Sequence, residues 1–318
     1  MRTAARALGL CCSLFAGVAL AQSPEALGLL RRIQDATRNL SYSGTFVYQH
    51  GGRSETSRIT RYVDASGAIE RLEVLDGLPR EVVRTRDTVK CFLPQAKLVK
   101  IERRTGREFP ALLPEQLGSL AGHYDITLGE TRRVGGFECR AVVLTPRDDL
   151  RFGYRLYADA RSGMLMKAVT FDAAGNDIEQ FMFTQLTLGR VTRDMVRPRH
   201  PATAAWRVED VGAVPASFPA WALSSELPGF HKVVELKRTL GESRPVSQMV
   251  FSDGLAAVSV FIEPMGARTQ EVRTGLASMG AINIYRREVA HHVITVVGEA
   301  PPASVQRIAD SVEYRPQQ

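Results

Sequence analysis

Apolar and polar residues alternate most clearly in Val246–Pro264, VSQMVFSDGLAAVSVFIEP. Val258, Val260 and Ile262 fall on one side of an extended chain, and Ser259, Phe261 and Glu263 on the other, which predicts a strand. Ser252-Asp253-Gly254 interrupts the apolar run with turn chemistry: Ser and Asp bond their own backbone, and Gly accepts positive φ. The stretch therefore predicts a β-hairpin. A hairpin this apolar is marginal alone and needs cover, so it predicts a separate C-terminal domain that supplies the cover.

Taken in order, the chain first shows a helix signal. Ser23 suits a cap, Pro24 the first turn and Glu25 the positive helix end. Leu27, Leu30, Ile33, Thr37 and Leu40 then recur on one face and predict a helix of about four turns. It either plugs a curved sheet or packs as plain core. From Ser41 to Leu188 the period shortens to that of strands, from Gly44–Gln49 through to Asp177–Leu186, with turns such as His50-Gly51-Gly52 and Asp76-Gly77 between them. Pro114–Leu120 predicts a short helix in the long connection after the sixth strand. In Asp177–Leu186 both faces are partly apolar: Ile178, Met182 and Leu186 on one, Phe181 and Phe183 on the other. Such a strand needs cover on both sides, from a helix on a concave face or from a bound lipid.

Arg190–Pro219 breaks the pattern with prolines and arginines and reads as a flexible inter-domain linker. Beyond it the sequence predicts strand His231–Thr239, the hairpin, a helix over Thr269–Met279 closed by Gly280, a second hairpin (Ile282–Arg287, Val289–Gly298) and a helix over Ala303–Val312. The expected fold is mainly β with α. An N-terminal antiparallel meander curls into a barrel or half-barrel, and a small C-terminal α+β domain follows. The expected boundaries are 1–21 for a leader, 22–190 for the half-barrel, 191–219 for the linker and 220–318 for the small domain.

Composition changes this picture only in part. The 318 residues are 44% hydrophobic and 24% charged, as in folded proteins. The N-terminus matches a secretory signal: Arg2 and Arg6, an apolar Ala7–Val18, then Ala19-Leu20-Ala21 with cleavage before Gln22. No later segment is apolar enough to span a bilayer, so the mature chain is expected to be exported and soluble. Net charge is +7 and falls to +5 without the two leader arginines. That permits attraction to an acidic surface, but the basic residues are scattered and match no nucleic-acid-binding motif. Cys91 and Cys139 remain after the leader, and an exported pair either oxidises to a disulfide or stays as two buried thiols in different strands. There is no nucleophile elbow, phosphate loop, zinc-binding helix motif or cofactor motif. His291-His292 reads as an exposed turn. An enzyme is not expected.

Several blocks together resemble the RseB/MucB family: Ser41–Tyr48 (SYSGTFVY), Ile69–Arg84, Tyr154–Lys167, Phe181–Leu188, Leu227–Phe230 (LPGF), Phe251–Pro264, Ala281–Arg287 (AINIYRR) and Ile294–Pro301 (ITVVGEAP). They keep family order and cover both expected domains. The resemblance implies a periplasmic negative regulator of the sigma-E envelope-stress response. Such a regulator binds the periplasmic region of an anti-sigma factor of RseA/MucA type and shields it from the site-1, DegS-type protease. Lipopolysaccharide or another lipid releases it. The resemblance also implies a large domain similar to the carriers LolA and LolB, an unclosed antiparallel β-barrel with helices on the concave face, and self-association into dimers and larger forms. In a half-open barrel Phe46, Tyr48, Phe171, Phe181 and Phe183 are the candidate lipid-facing wall. Arg286 and Arg287 are candidates to meet phosphate or an acidic peptide, or else form a solvated strand edge. Cys91 and Cys139 belong to no motif of the family. The competing reading is a periplasmic lipid or lipoprotein carrier.

Overall fold

The computed structural model describes residues 23–103, 113, 117–200, 205–240, 244–266 and 274–316. The leader and its cleavage site lie outside these residues, as does part of the expected helix at Pro114–Leu120; Leu117–Gly122 forms a 3-10 turn. The chain opens with helix α1 (Pro24–Asn39), whose cap Ser23 accepts from the Ala26 N–H at 3.4 Å. Its buried stripe is Ala26, Leu29, Leu30, Ile33 and Ala36, rotated from the expected Leu27-to-Leu40 line. The alanines let the helix approach β-sheet closely, and Thr37 turns its hydroxyl back to the Ile33 carbonyl at 2.9 Å.

A run of strands follows: β1 (Tyr42–His50), β2 (Arg53–Asp64), β3 (Gly67–Val74), β4 (Arg80–Arg84), β5 (Thr88–Leu93), β6 (Leu98–Arg103), β7 (Tyr124–Val134), β8 (Phe137–Pro146), β9 (Gly153–Asp159), β10 (Leu165–Phe171) and β11 (Asp177–Leu188). They lie in one 12-stranded sheet whose first and last members in space are β12 (Arg207–Asp210) and β7. β1 to β6 step outward in one direction, and β7 to β11 return from the opposite edge to pair β11 with β1. Among the described residues β6 and β7 do not pair, so the barrel stays open, as the family resemblance implies. α1 lies against β7, β8 and β10. Leu30, Ile33, Tyr42, Phe183, Tyr124 and Ile126 are at most 1% exposed in the core beneath it. Burying each large apolar side chain contributes about 1.5–3 kcal/mol.

The segment expected as a free linker is stitched to the body instead. Its β12 extends the large sheet as a parallel neighbour of β6, and β13 (Ala213–Pro215) pairs with β15 (His231–Leu240) of the second sheet. Glu81, 2% exposed, accepts the Arg199 N–H on both oxygens at 3.0 Å, Arg199 reaches Glu73 at 3.0 Å, and Arg71 donates to the Arg197 carbonyl at 3.0 Å. Arg199, in a stretch that looks like a solvated tether, is thus held by acidic side chains of β3 and β4.

The second sheet has seven strands, with β16 (Arg244–Ser252) and β17 (Ala257–Pro264) as its central hairpin, then β18 (Gly275–Met279), β19 (Ile282–Val289) and β20 (His292–Gly298). Helix α2 (Pro302–Ser311) covers one face. Met249, Phe251, Val258, Val260 and Val296 meet Val305 and Ile308 there. β14 (Trp221–Leu223) and β21 (Val312–Tyr314) form a two-stranded annex.

Two expectations fail. The helix over Thr269–Met279 is not present in its described part: Gly275–Met279 is a strand paired to β19. Gly280 sits at φ +60° in the turn after it, a conformation that serves a hairpin as well as a helix end. Cys91 and Cys139 are free thiols, not a disulfide. They stand on β5 and β8, which are not neighbours in the sheet. Burial raises both thiols, Cys139 to about 11. The protein is therefore expected to migrate identically on reducing and non-reducing gels. A thiol reagent should titrate Cys91 and Cys139 after denaturation without reductant; their non-reactivity there would overturn the assignment.

Candidate functional site

The two sheets meet around one buried ion pair. Arg151, in the loop before β9, points its Nε at Asp253 Oδ2 at 2.7 Å, with both side chains 0% exposed. Its other nitrogens donate to Asp148 and to the Pro228 carbonyl, and its guanidinium lies 5.1 Å from the centre of the Phe230 ring. Tyr124 adds a hydroxyl donated to Asp253 at 3.4 Å. On its own side Asp253 Oδ1 accepts the N–H groups of Leu255 and Ala256, both at 2.8 Å. Ser252 donates to the Ala256 carbonyl at 2.8 Å and accepts from Gly254 at 3.0 Å. The Ser-Asp-Gly turn read from sequence is thus also the socket for an arginine 102 residues away. Gly229 sits at φ +79°, and a Cβ there would lie 2.2 Å from His123 and 2.7 Å from Arg151. This is why the LPGF turn carries glycine.

Further ties surround the pair. Ser304 donates to the Leu150 carbonyl at 3.0 Å, Arg238 bonds Glu102 at 2.7 Å, and Glu179 of β11 accepts the Ala281 N–H at 3.1 Å. The cores interlock as well. Leu255 and Ala281 join the core of the large sheet, and Leu150 joins that of the small one. The ties at Arg238 and Ala281 flank a cleft of about 480 Å³ on the face of the small sheet away from α2. Val234, Leu236, Val250 and Val297 line it, with Gln248, Arg238 and Glu299.

The expected aromatic wall divides. Phe46, Phe181 and Phe183 are buried and pack edge-to-face, with ring centres 5.8–6.2 Å apart. Tyr48 donates its hydroxyl to Glu179 at 2.6 Å, and burial together with that carboxylate raises its pKa far above the ordinary value. Phe171 lies apart from them, under the Arg155 guanidinium at 4.8 Å. Arg286 is exposed, whereas Arg287 donates to the Ala309 carbonyl at 3.2 Å and reaches Asp310 at 3.4 Å at the end of α2. Adjacent strand residues point apart, so these arginines do not form one basic site. His291 is exposed in the turn, but His292 packs its ring 5.0 Å from Trp221 and 6.2 Å from Tyr314. Arg151 and Glu179 carry no local sequence signal, because Asp253 and the Ala281 N–H reach them from the other sheet.

Asp253→Asn keeps an oxygen for the turn and removes the charge facing Arg151. It is expected to lower the unfolding free energy by about 3–5 kcal/mol. Combined with Arg151→Met, the loss should be smaller than the sum of the two single losses in denaturant unfolding; strict additivity would refute the coupling. His123 adds a pH dependence. Burial first, then the Arg151 charge, hold its pKa below the ordinary 6.5. The unfolded chain therefore binds the proton more readily, and this contribution is present above 6.5 and is lost as pH falls from 6.5 through the lower value of the folded protein. Unfolding measured on either side of pH 6.5 should show a decline that is smaller in His123→Gln.

The comparisons agree on both halves of the chain. The MucB/RseB N-terminal domain matches residues 25–203, and the MucB/RseB C-terminal domain matches residues 215–313. The sigma factor AlgU regulatory protein MucB of Pseudomonas aeruginosa is 33% identical over 305 residues, covering 92% of each chain. The sigma-E factor regulatory protein RseB of Escherichia coli K12 is 25% identical over 306 residues, again 92% of each. A solved complex of Pseudomonas aeruginosa MucA and MucB matches with a TM-score of 0.71 at 29% identity, covering 92% of this chain and 100% of that one. A structure of MucB by itself matches at 0.65 and 30% identity, covering 92% and 99%. An open sheet that carries the first family domain, locked to a small sheet that carries the second, places this chain in the MucB/RseB family.

Proposed function

We propose that this protein is a periplasmic negative regulator of a sigma-E-type stress response. It binds the periplasmic region of a MucA- or RseA-type anti-sigma factor and shields it from the site-1 protease. The observation that supports this most is the likeness of the whole two-sheet body to MucB, a protein solved in complex with MucA. The apolar cleft beside the inter-sheet ties is the surface on this chain suited to a bound chain segment. Export by the N-terminal leader brings it to the compartment where such a segment is exposed.

Lipid, on this reading, is the release signal. An acyl chain gains about 0.8 kcal/mol per buried CH₂, and it enters the large lobe by opening the cluster of Phe46, Phe181 and Phe183. Release needs differential affinity. Lipid must favour the peptide-free form, and about 1.4 kcal/mol of preference gives a tenfold change.

Digestion of the anti-sigma periplasmic segment by a site-1 protease tests the reading. The segment should survive longer with this protein present, and added lipopolysaccharide should restore cleavage. Equal digestion rates with and without the protein would sink it, and unchanged protection at saturating lipid would remove the release step alone.

A further inference from the structure

One oxygen of Glu179 is shared by the two bodies. Its Oε2 accepts the Tyr48 hydroxyl at 2.6 Å and the Ala281 N–H at 3.1 Å, while its Oε1 accepts from Thr170 at 3.4 Å. The first donor belongs to the aromatic wall of the large sheet. Tyr48 stands two residues along β1 from Phe46, and Glu179 two residues along β11 from Phe181, so all four side chains share one face. Phe46 and Phe181 meet edge-on, with ring centres 6.2 Å apart. The second donor belongs to the small sheet. Ala281 lies in the turn between β18 and β19, yet it is buried in the core of the large sheet. Beside it Gly280, at φ +60°, comes so close that a Cβ would stand 2.9 Å from His50 and 3.0 Å from Glu179 Oε2.

The contact continues beyond Ala281. Its carbonyl accepts from Asn283 Nδ2 at 3.3 Å, and the same buried nitrogen donates to the Ala300 carbonyl at 2.8 Å. Ile282 and Glu299, next in the chain to Ala281 and Ala300, line the cleft. A run of hydrogen bonds therefore leads from Tyr48 to one end of the cleft and crosses between the bodies at Glu179. A carboxylate oxygen holds both donors more strongly than a neutral acceptor would. Packed interfaces move between discrete arrangements rather than bending freely. Parting Phe46 from Phe181 must shift Tyr48 and Glu179 with them, and Ala281 then loses its acceptor.

We propose that Glu179 is a positioning residue through which the aromatic wall of the large lobe sets the shape of the cleft on the small sheet. Opening the wall draws Tyr48 and Glu179 away from Ala281 and loosens the end of the cleft at Ile282 and Glu299. The inference rests on the function proposed above and adds the route by which an acyl chain in one body acts on a segment held by the other. Tyr48 is the input to this junction and Asn283 its output.

Hydrogen exchange of the Ala281 amide in the mature full chain reads the junction directly. Phe46→Leu loosens the wall and is expected to speed exchange at Ala281 about tenfold more than at Val260 and Val296, in the middle of the small sheet. Tyr48→Phe keeps the ring and removes the hydroxyl, so in that background Phe46→Leu should lose this selective effect. Equal acceleration at all three amides, or the same selective rise with and without the Tyr48 hydroxyl, overturns the proposal. Should Phe46→Leu not fold, Phe181→Leu opens the same ring pair and is read in the same way. Release of the anti-sigma segment gives a second measure. Tyr48→Phe should need about tenfold more lipopolysaccharide than the wild type to restore cleavage of the segment, and an unchanged requirement overturns the coupling. The exchange measurement uses neither lipid nor segment, so it fails only with the junction. If lipopolysaccharide releases nothing from the wild-type protein, the release step proposed above fails instead.

Discussion

Arg151 and Asp253 are both withdrawn from water, and the rest of the molecule is arranged so that neither is left alone. Removing two charges from solvent costs several kcal/mol per ion, and their attraction offsets this only with near-complete hydrogen bonding. That demand is met from both sheets at once. Asp148, the Pro228 carbonyl and the Phe230 ring serve the guanidinium, and Tyr124 and two turn amides serve the carboxylate. The contacts converge from the loop before β9, the start of β7, the LPGF turn and the central hairpin. None of these elements can move far without exposing a charge to an apolar surrounding, so the ion pair fixes orientation more than it adds stability.

What was legible in the chain was what depends on near neighbours. Strands β5 and β8 have the limits expected from their alternation, and the cap at Ser23 and the turn at Ser252-Asp253-Gly254 follow from local hydrogen bonding. The inter-sheet contacts were illegible for the same reason. Arg151 looks like any charged residue before a strand, and Asp148-Asp149 like surface acids, because their partners are brought by topology. Gly280 shows the ambiguity at its sharpest, since a residue at positive φ ends a helix or turns a hairpin equally well. The cysteines show the opposite failing. Export favours pairing, but the two thiols stand free on β5 and β8.

The small sheet has two unlike faces. Toward α2 its side chains are apolar and fully enclosed, as a core requires. Toward the cleft the same strands present Gln248 beside Val250, and Ser259 beside Val297. A period of two along each strand points alternate residues into the core and into the cleft. A substitution on the cleft face therefore spares the packing against α2.

Leu150 and Leu255 each sit in the opposite sheet's core. Pulling the two bodies apart would open a void in each and wet both leucines, so partial separation is penalised twice. Opening between the halves has to uncover Leu150 and Leu255 together, so the two insertions act as paired latches across the interface.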